Sequence, residues 1–374
     1  MDDAVKGDRR TRKFAEVVTP QPEPLIKLTN RGVPTPDDLG PLSQLLGVWI
    51  ANGTGWNMIA LPFQNAPPAP AGFKFRLLMN QYNEELRFDF VDDDVPNRGL
   101  SRIDAPDPDQ FVVTLDYQQK IAQVAAEDRP DSGGLAGLPG LPIHHEPGLW
   151  LYEKNRRSMD DQIQGDQVSQ VELKVARLAA IPHGNSVLAL GTADYFKGMP
   201  KIPPISGFPA GRFENVFSPD YDFKEDPYLE PYKHYFENPF MGNVVGVPGF
   251  PGFNPADMNQ ILRFANDDLE SQGIEIVQTT VLTVDSTRKN AGIRNVPFSV
   301  REAEPVSMKS TFWIQQLSAL DEFGNPKLRL QYSQVVMMDF FRPREDEFPG
   351  RAVWPHISIA TLDKEPTGYP LKES

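Results

Sequence analysis

Apolar side chains recur at every second position in several separate stretches of this chain, the pattern of a strand with one face buried. Over residues 84–91, Leu86, Phe88 and Phe90 alternate with Arg87 and Asp89. Phe111, Val113, Leu115 and Tyr117 repeat the pattern. So do Val171, Leu173 and Val175 against Glu172 and Lys174, and Leu328, Leu330 and Tyr332 against Lys327, Arg329 and Gln331. Further strands are predicted over 73–79, 148–154, 186–192, 274–285, 309–317 and 352–362. Pro-His-Gly-Asn at 182–185 and Phe-Gly-Asn-Pro at 323–326 supply turn chemistry between neighbours. Roughly ten strands with short connections favour a closed antiparallel β-barrel in the all-β class, because closure removes exposed sheet edges.

Composition excludes several functions. With 40% hydrophobic and 10% aromatic residues the chain can bury a large core. A net charge of −14 repels a phosphate backbone, so nucleic acid is not an expected partner. There are no cysteines, which removes disulfides, thiolate metal sites and cysteine nucleophiles. No run of about 18 apolar residues suggests a membrane span, and the charged N-terminal stretch is not followed by a signal-like apolar segment. A cytoplasmic protein is the expectation. Neither a Gly-x-Gly-x-x-Gly nor a Gly-x-Ser-x-Gly motif points to a nucleotide cofactor or a hydrolase.

The rhythm divides the chain into three parts. Residues 1–40 are charged and proline-punctuated and read as an extended arm. Residues 41–192 and 272–366 carry the barrel. Between them, 193–271 packs eleven prolines and fifteen aromatics and reads as an ordered insertion, either capping the barrel mouth or covering an apolar outer face. Within it, Asn254-Pro255 predicts a helix start, with Met258, Ile261, Leu262 and Leu269 at helical spacing up to Gly273.

Five histidines are present: His144, His145, His183, His234 and His356. No pair has the spacing of a helical zinc site, and His144 and His145 would point to opposite faces of a strand. On a regular strand over 352–362, Trp354, His356, Ser358 and Ala360 share one face and Pro355, Ile357 and Ile359 the other. If the first face is the lumen, the small residues beside the imidazole leave room for a flat macrocycle, with the neutral nitrogen on iron. If the second face is the lumen, His356 points to solvent. Arg177 is a charge on an apolar face and needs a partner, either a haem propionate or an acidic side chain.

Three stretches resemble the nitrobindins, calycin-like and lipocalin-like haem barrels related in architecture to fatty-acid-binding proteins. Residues 45–62 contain Gly47, Trp49, Gly53 and Gly55 as Gly-x-Trp-x-x-x-Gly-x-Gly, followed by Pro62. His144, Glu146 and Gly148 match a His-x-Glu-x-Gly-aromatic strand, and Trp354 to Leu362 looks like the family's last strand. The resemblance implies haem b as cofactor with His356 as proximal iron ligand and Trp354, Ser358, Arg177, Gly53 and Gly55 around it. His144, His145 and His183 are then distal candidates. It also implies a small diatomic or oxidant as ligand: nitric oxide, peroxynitrite converted to nitrate, or peroxide in a peroxidase-like reaction. The alternative is a non-catalytic lumenal carrier of a lipophilic ligand. The arm, an enlarged loop over 118–143 and the insertion have no counterpart in that family.

Overall fold

The computed structural model describes residues 35–62, 75–97, 110–154, 174–211, 229–340 and 352–366. Among the described residues, twelve strands and four α-helices follow one another in the order α1 (Pro36–Leu39), β1 (Gly47–Pro62), β2 (Phe75–Asn97), β3 (Gln110–Arg129), β4 (Pro142–Lys154), β5 (Val175–Ile181), β6 (Asn185–Lys197), β7 (Ala210–Gly211), α2 (Glu230–Glu237), α3 (Gln260–Ser271), β8 (Ile276–Asp285), β9 (Gly292–Asn295), α4 (Pro297–Glu302), β10 (Glu304–Leu320), β11 (Pro326–Phe340) and β12 (Ala352–Lys364). Ten of the strands form the antiparallel ring β1-β2-β3-β4-β5-β6-β8-β10-β11-β12, which the β12–β1 pairing closes. The fold is therefore the closed all-β barrel expected. β7 and β9 are short strands added at β12 and β6.

The alternation that marks the strands also sorts their side chains. Leu86, Phe88, Val113, Leu115, Tyr117, Val175, Leu330 and Tyr332 all join one buried cluster inside the barrel. Trp49, Trp150 and Phe312 fill its centre, and Leu39, Leu42 and Leu45 close that end of the lumen. Residues 36–42 are thus short helical turns docked on the barrel rather than part of an extended arm. The rest of the expected arm, and Val171 and Leu173, lie outside the described residues.

A second apolar cluster lies on the outer face. Trp56, Met58, Ile357 and Ile359 point away from the lumen and pack with Ile202, Tyr232, Phe253, Met258 and Leu262 from the stretch between β6 and β8. The described residues of that stretch pack on an outer face, and a salt bridge of 2.6 Å between Arg129 and Glu230 ties α2 to β3. α3 buries Ile261, Leu262, Asn266 and Leu269.

Three boundaries differ from the sequence reading. The helix begins at Gln260, not at Asn254, because the Asn254 side chain instead accepts from the Ala256 backbone N–H at 2.9 Å and closes a local turn. β6 continues to Lys197, into the stretch read as insertion. The expected loop over 118–143 is half strand, since β3 runs on to Arg129. Its inward positions there are Gln119, Ile121 and Gln123, so the polar lumen interrupts the apolar alternation that would have betrayed the strand.

Candidate functional site

Position along each strand measures depth in the lumen. Past the apolar plug, the inward side chains of β1, β2, β3, β4, β11 and β12 become Asn57, Asn80, Gln119, His144, Gln334 and His356, and they line a cavity of about 360 Å³. Tyr82 and Tyr332 belong to its lining, as do Ile59, Leu78, Ile121 and Ile143. The β5–β6 turn brings His183 to it, and the loop between β3 and β4 brings Leu135 and Leu141, both exposed. That loop is pinned to the strand below by Gln123, whose Nε2 donates to the Leu138 carbonyl at 3.1 Å.

Three of the five histidines therefore meet in one cavity, from β4, from a turn and from β12. The ring centroids of His144 and His183 are 6.5 Å apart. His356 faces the lumen because Asn57 and Ser358, opposite each other in the β1–β12 ladder, both do. Asn57 Nδ2 lies 2.6 Å from His356 Nε2 and donates to Ser358 Oγ at 2.9 Å. Burial holds the His356 imidazole down at about 4, with His144 and His183 adding to the effect, so at neutral pH it is uncharged. Burial likewise lowers His183.

The other predicted site residues are placed differently. His145 is exposed on the opposite face of β4 and does not line the cavity. Trp354 packs against Phe75, at 4.7 Å between ring centroids, and against Tyr232. Gly53 borders a groove outside the barrel. Gly55 lies beneath the Tyr82 ring, which touches the cavity in its place: a Cβ at Gly55 would come within 2.0 Å of that ring. His234 sits in α2, 3.9 Å from Glu127 and away from the lumen cavity.

Below the cavity lies a layer of buried charge. Arg177 Nη2 donates to Glu146 Oε1 at 2.6 Å and Nη1 to Gln334 Oε1 at 2.7 Å. Its partner is thus an internal carboxylate, and it meets the cavity wall through its bond to Gln334 and through Glu146, which bonds His144. Tyr117 also hydrogen-bonds Glu146, and His144 Nε2 lies 3.2 Å from Glu146 Oε2. Burial pushes Glu146 up, but the Arg177 charge and the bonds from His144 and Tyr117 outweigh it and hold the carboxyl at about 2. Glu146 remains ionised and orients His144.

Among the described residues, Glu84 has no such cation in hydrogen-bond contact. Tyr332 Oη donates to its Oε2 at 2.7 Å and Gln119 Nε2 to its Oε1 at 2.7 Å. Tyr82 and Tyr332 hydroxyls lie 2.9 Å apart. Burial pushes the Glu84 carboxyl up to about 7, against the bonds from Tyr332 and Gln119. Sequence reasoning did not single out Glu84, yet the signal was there: continuing the Leu86 and Phe88 face two residues back lands on it.

No protein-family model matches this sequence, and no curated protein does. Among solved structures, the crystal structure of Rv2717c from M. tuberculosis is similar at 14% sequence identity, covering 89% of this chain and 100% of that chain, with a TM-score of 0.32. No helix among the described residues is long and apolar enough to cross a membrane.

Proposed function

We propose that this barrel binds haem b in the three-histidine cavity, with His356 as the residue that would hold the iron. The observation that carries the reading is the convergence of His356, His144 and His183 on one lumenal space. A neutral imidazole is the form that binds iron, and burial keeps His356 neutral. The wall is amphipathic: Ile59, Leu78, Ile121 and Ile143 offer apolar surface to a flat ring, and the floor and His144 offer hydrogen bonds. The cavity is near the lower end of small-molecule sites, which span about 300–1,000 Å³. A macrocycle therefore requires the Leu135–Leu141 loop to move outward.

Two features of the chain shape how the group would be held. Asn57 occupies His356 Nε2 and must yield it. Among the described residues the cavity lining contains no Lys or Arg, and Arg177 is committed to Glu146, so the lining would supply no cation to the propionates. Bound haem would supply an iron for a small diatomic or oxidant. His144, held by the ionised Glu146, is the group placed to donate to or accept from such a ligand.

Titration of the purified protein with hemin tests the reading. Wild type is expected to develop a Soret band that His356→Ala removes while the far-ultraviolet circular dichroism stays unchanged. His234→Ala leaves the band intact. If hemin produces no band in wild type, the carrier of a lipophilic ligand becomes the better reading. The exposed Leu135, Leu138 and Leu141 beside the cavity favour that occupant.

A further inference from the structure

The lumen holds two carboxyls that differ in one respect. Glu146 is neutralised by Arg177. Glu84 is buried to the same degree, 2% against 1% exposed, yet among the described residues its side-chain hydrogen bonds come from neutral groups, Tyr332 and Gln119. Both of those groups line the cavity, as does Tyr82, hydrogen-bonded to Tyr332. Glu84 is thus one hydroxyl away from whatever the cavity holds. Two titratable groups in one site whose surroundings drive them apart mark an assignment of roles, one fixed charge and one proton carrier.

We propose that Glu84 is a proton-accepting counter-group for an anionic oxygen ligand in the cavity, a small aromatic phenolate, and that Tyr332 transmits the exchange. The inference rests on the lumen cavity being the ligand site but not on haem. Its logic is electrostatic. An ionised oxygen leaving bulk water for the cavity needs compensation, and among the described residues the lining has no Lys or Arg to provide it. A carboxyl that takes up a proton does the same work by removing one negative charge.

The exchange balances with a single proton. With the cavity free of an anion, ionised Glu84 accepts from the Tyr332 hydroxyl. When a phenolate enters, Glu84 takes one proton from solvent and donates it toward the Tyr332 oxygen. The Tyr332 hydrogen turns to the ligand oxygen, and net charge in the lumen is unchanged. The ring of the ligand lies against Ile59, Leu78 and Ile121. The charged and titratable groups acting on Glu84 are Tyr82, Tyr332, His144 and Arg177. His144 and Arg177 favour its ionised form, and Tyr82 and Tyr332 hold their protons because burial raises both.

The test uses 4-nitrophenol and the haem-free full chain. Calorimetric titration above pH 7 in two buffers of different ionisation enthalpy should show uptake of close to one proton per ligand, with affinity falling about tenfold per pH unit. The infrared absorption of a protonated carboxyl should grow in wild type when 4-nitrophenol is added at pH 8. Glu84→Gln, which keeps the shape and a hydrogen bond, should bind with no proton uptake and a flat pH dependence. Tyr332→Phe should weaken binding at every pH. The proposal is overturned if wild type does not bind 4-nitrophenol, if the carboxyl absorption does not grow, or if Glu84→Gln keeps the wild-type slope. Failure of the haem reading shows separately, as an absent Soret band with hemin.

Discussion

Arg177 Nη2 lies 2.6 Å from Glu146 Oε1, and the two side chains are 3% and 1% exposed. This buried pair joins the apolar plug to the cavity, since Arg177 also bonds Gln334 and Glu146 also bonds His144. Removing one partner leaves an uncompensated charge buried in the barrel. Arg177→Met should therefore cost about 3–5 kcal/mol of unfolding free energy, and the double change with Glu146→Gln should recover part of it. Denaturant melts of the three proteins decide this. A loss under about 1 kcal/mol for Arg177→Met would mean that water reaches the pair.

Glu84 and His356 give opposite pH signatures. The folded Glu84 carboxyl titrates near 7 and its unfolded counterpart near 4.5, so the fold keeps a proton that the unfolded chain has released. Stability from this site is present below pH 4.5 and is lost as pH rises through 7. Glu84→Gln should accordingly gain on wild type between those limits, by on the order of 3 kcal/mol. The folded His356 titrates near 4 and its unfolded counterpart near 6.5, so the unfolded chain takes up the proton first. That contribution is lost as pH falls from 6.5 to 4, and His356→Ala should lessen the acid sensitivity. Unfolding curves recorded at several pH values for each variant read both slopes.

Asn57 competes for the nitrogen of His356 that iron would use. A net hydrogen bond is worth about 0.5–1.5 kcal/mol, so Asn57→Ala should raise hemin affinity roughly twofold to tenfold. A fall in affinity would show instead that Asn57 orients the imidazole for binding.

Gly55 and Trp354 act at a distance from the ligand. A methyl group at Gly55 meets the Tyr82 ring, so Gly55→Ala should cost about 1–3 kcal/mol and disturb the Tyr82–Tyr332 contact on the cavity floor. Trp354→Ala should cost about 3–5 kcal/mol through lost packing with Phe75 and Tyr232, while hemin stoichiometry stays at the wild-type value. A Trp354→Ala protein that folds normally but binds no hemin would place this ring in the site after all.

How far the site could be read in advance depended on what each side chain faces. The strands holding Leu86 and Phe88, or Leu330 and Tyr332, announce themselves because their inward residues are apolar. The distal part of β3 does not, because Gln119 and Gln123 face a polar cavity and look like solvent-facing residues. Glu84 was overlooked for the same reason. His356 was identified from the small residues around it, and its face stayed open between two equal alternations until the pairing with β1 placed Asn57 and Ser358 inside.

The sequence by itself determined the strand content and the closed-barrel class, because period-two patterning and turn residues are local properties that any single stretch carries. It also offered the histidines as a list. Which of them meet was decided only by tertiary structure: ring closure through β12 and β1 sets the register that brings His356, His144 and His183 to one cavity and leaves His145 and His234 outside it. The same closure pairs Arg177 with Glu146 and leaves Glu84 with neutral partners. Burial and the nearest charges set how each carboxyl titrates, and both are properties of the folded neighbourhood, not of the residue.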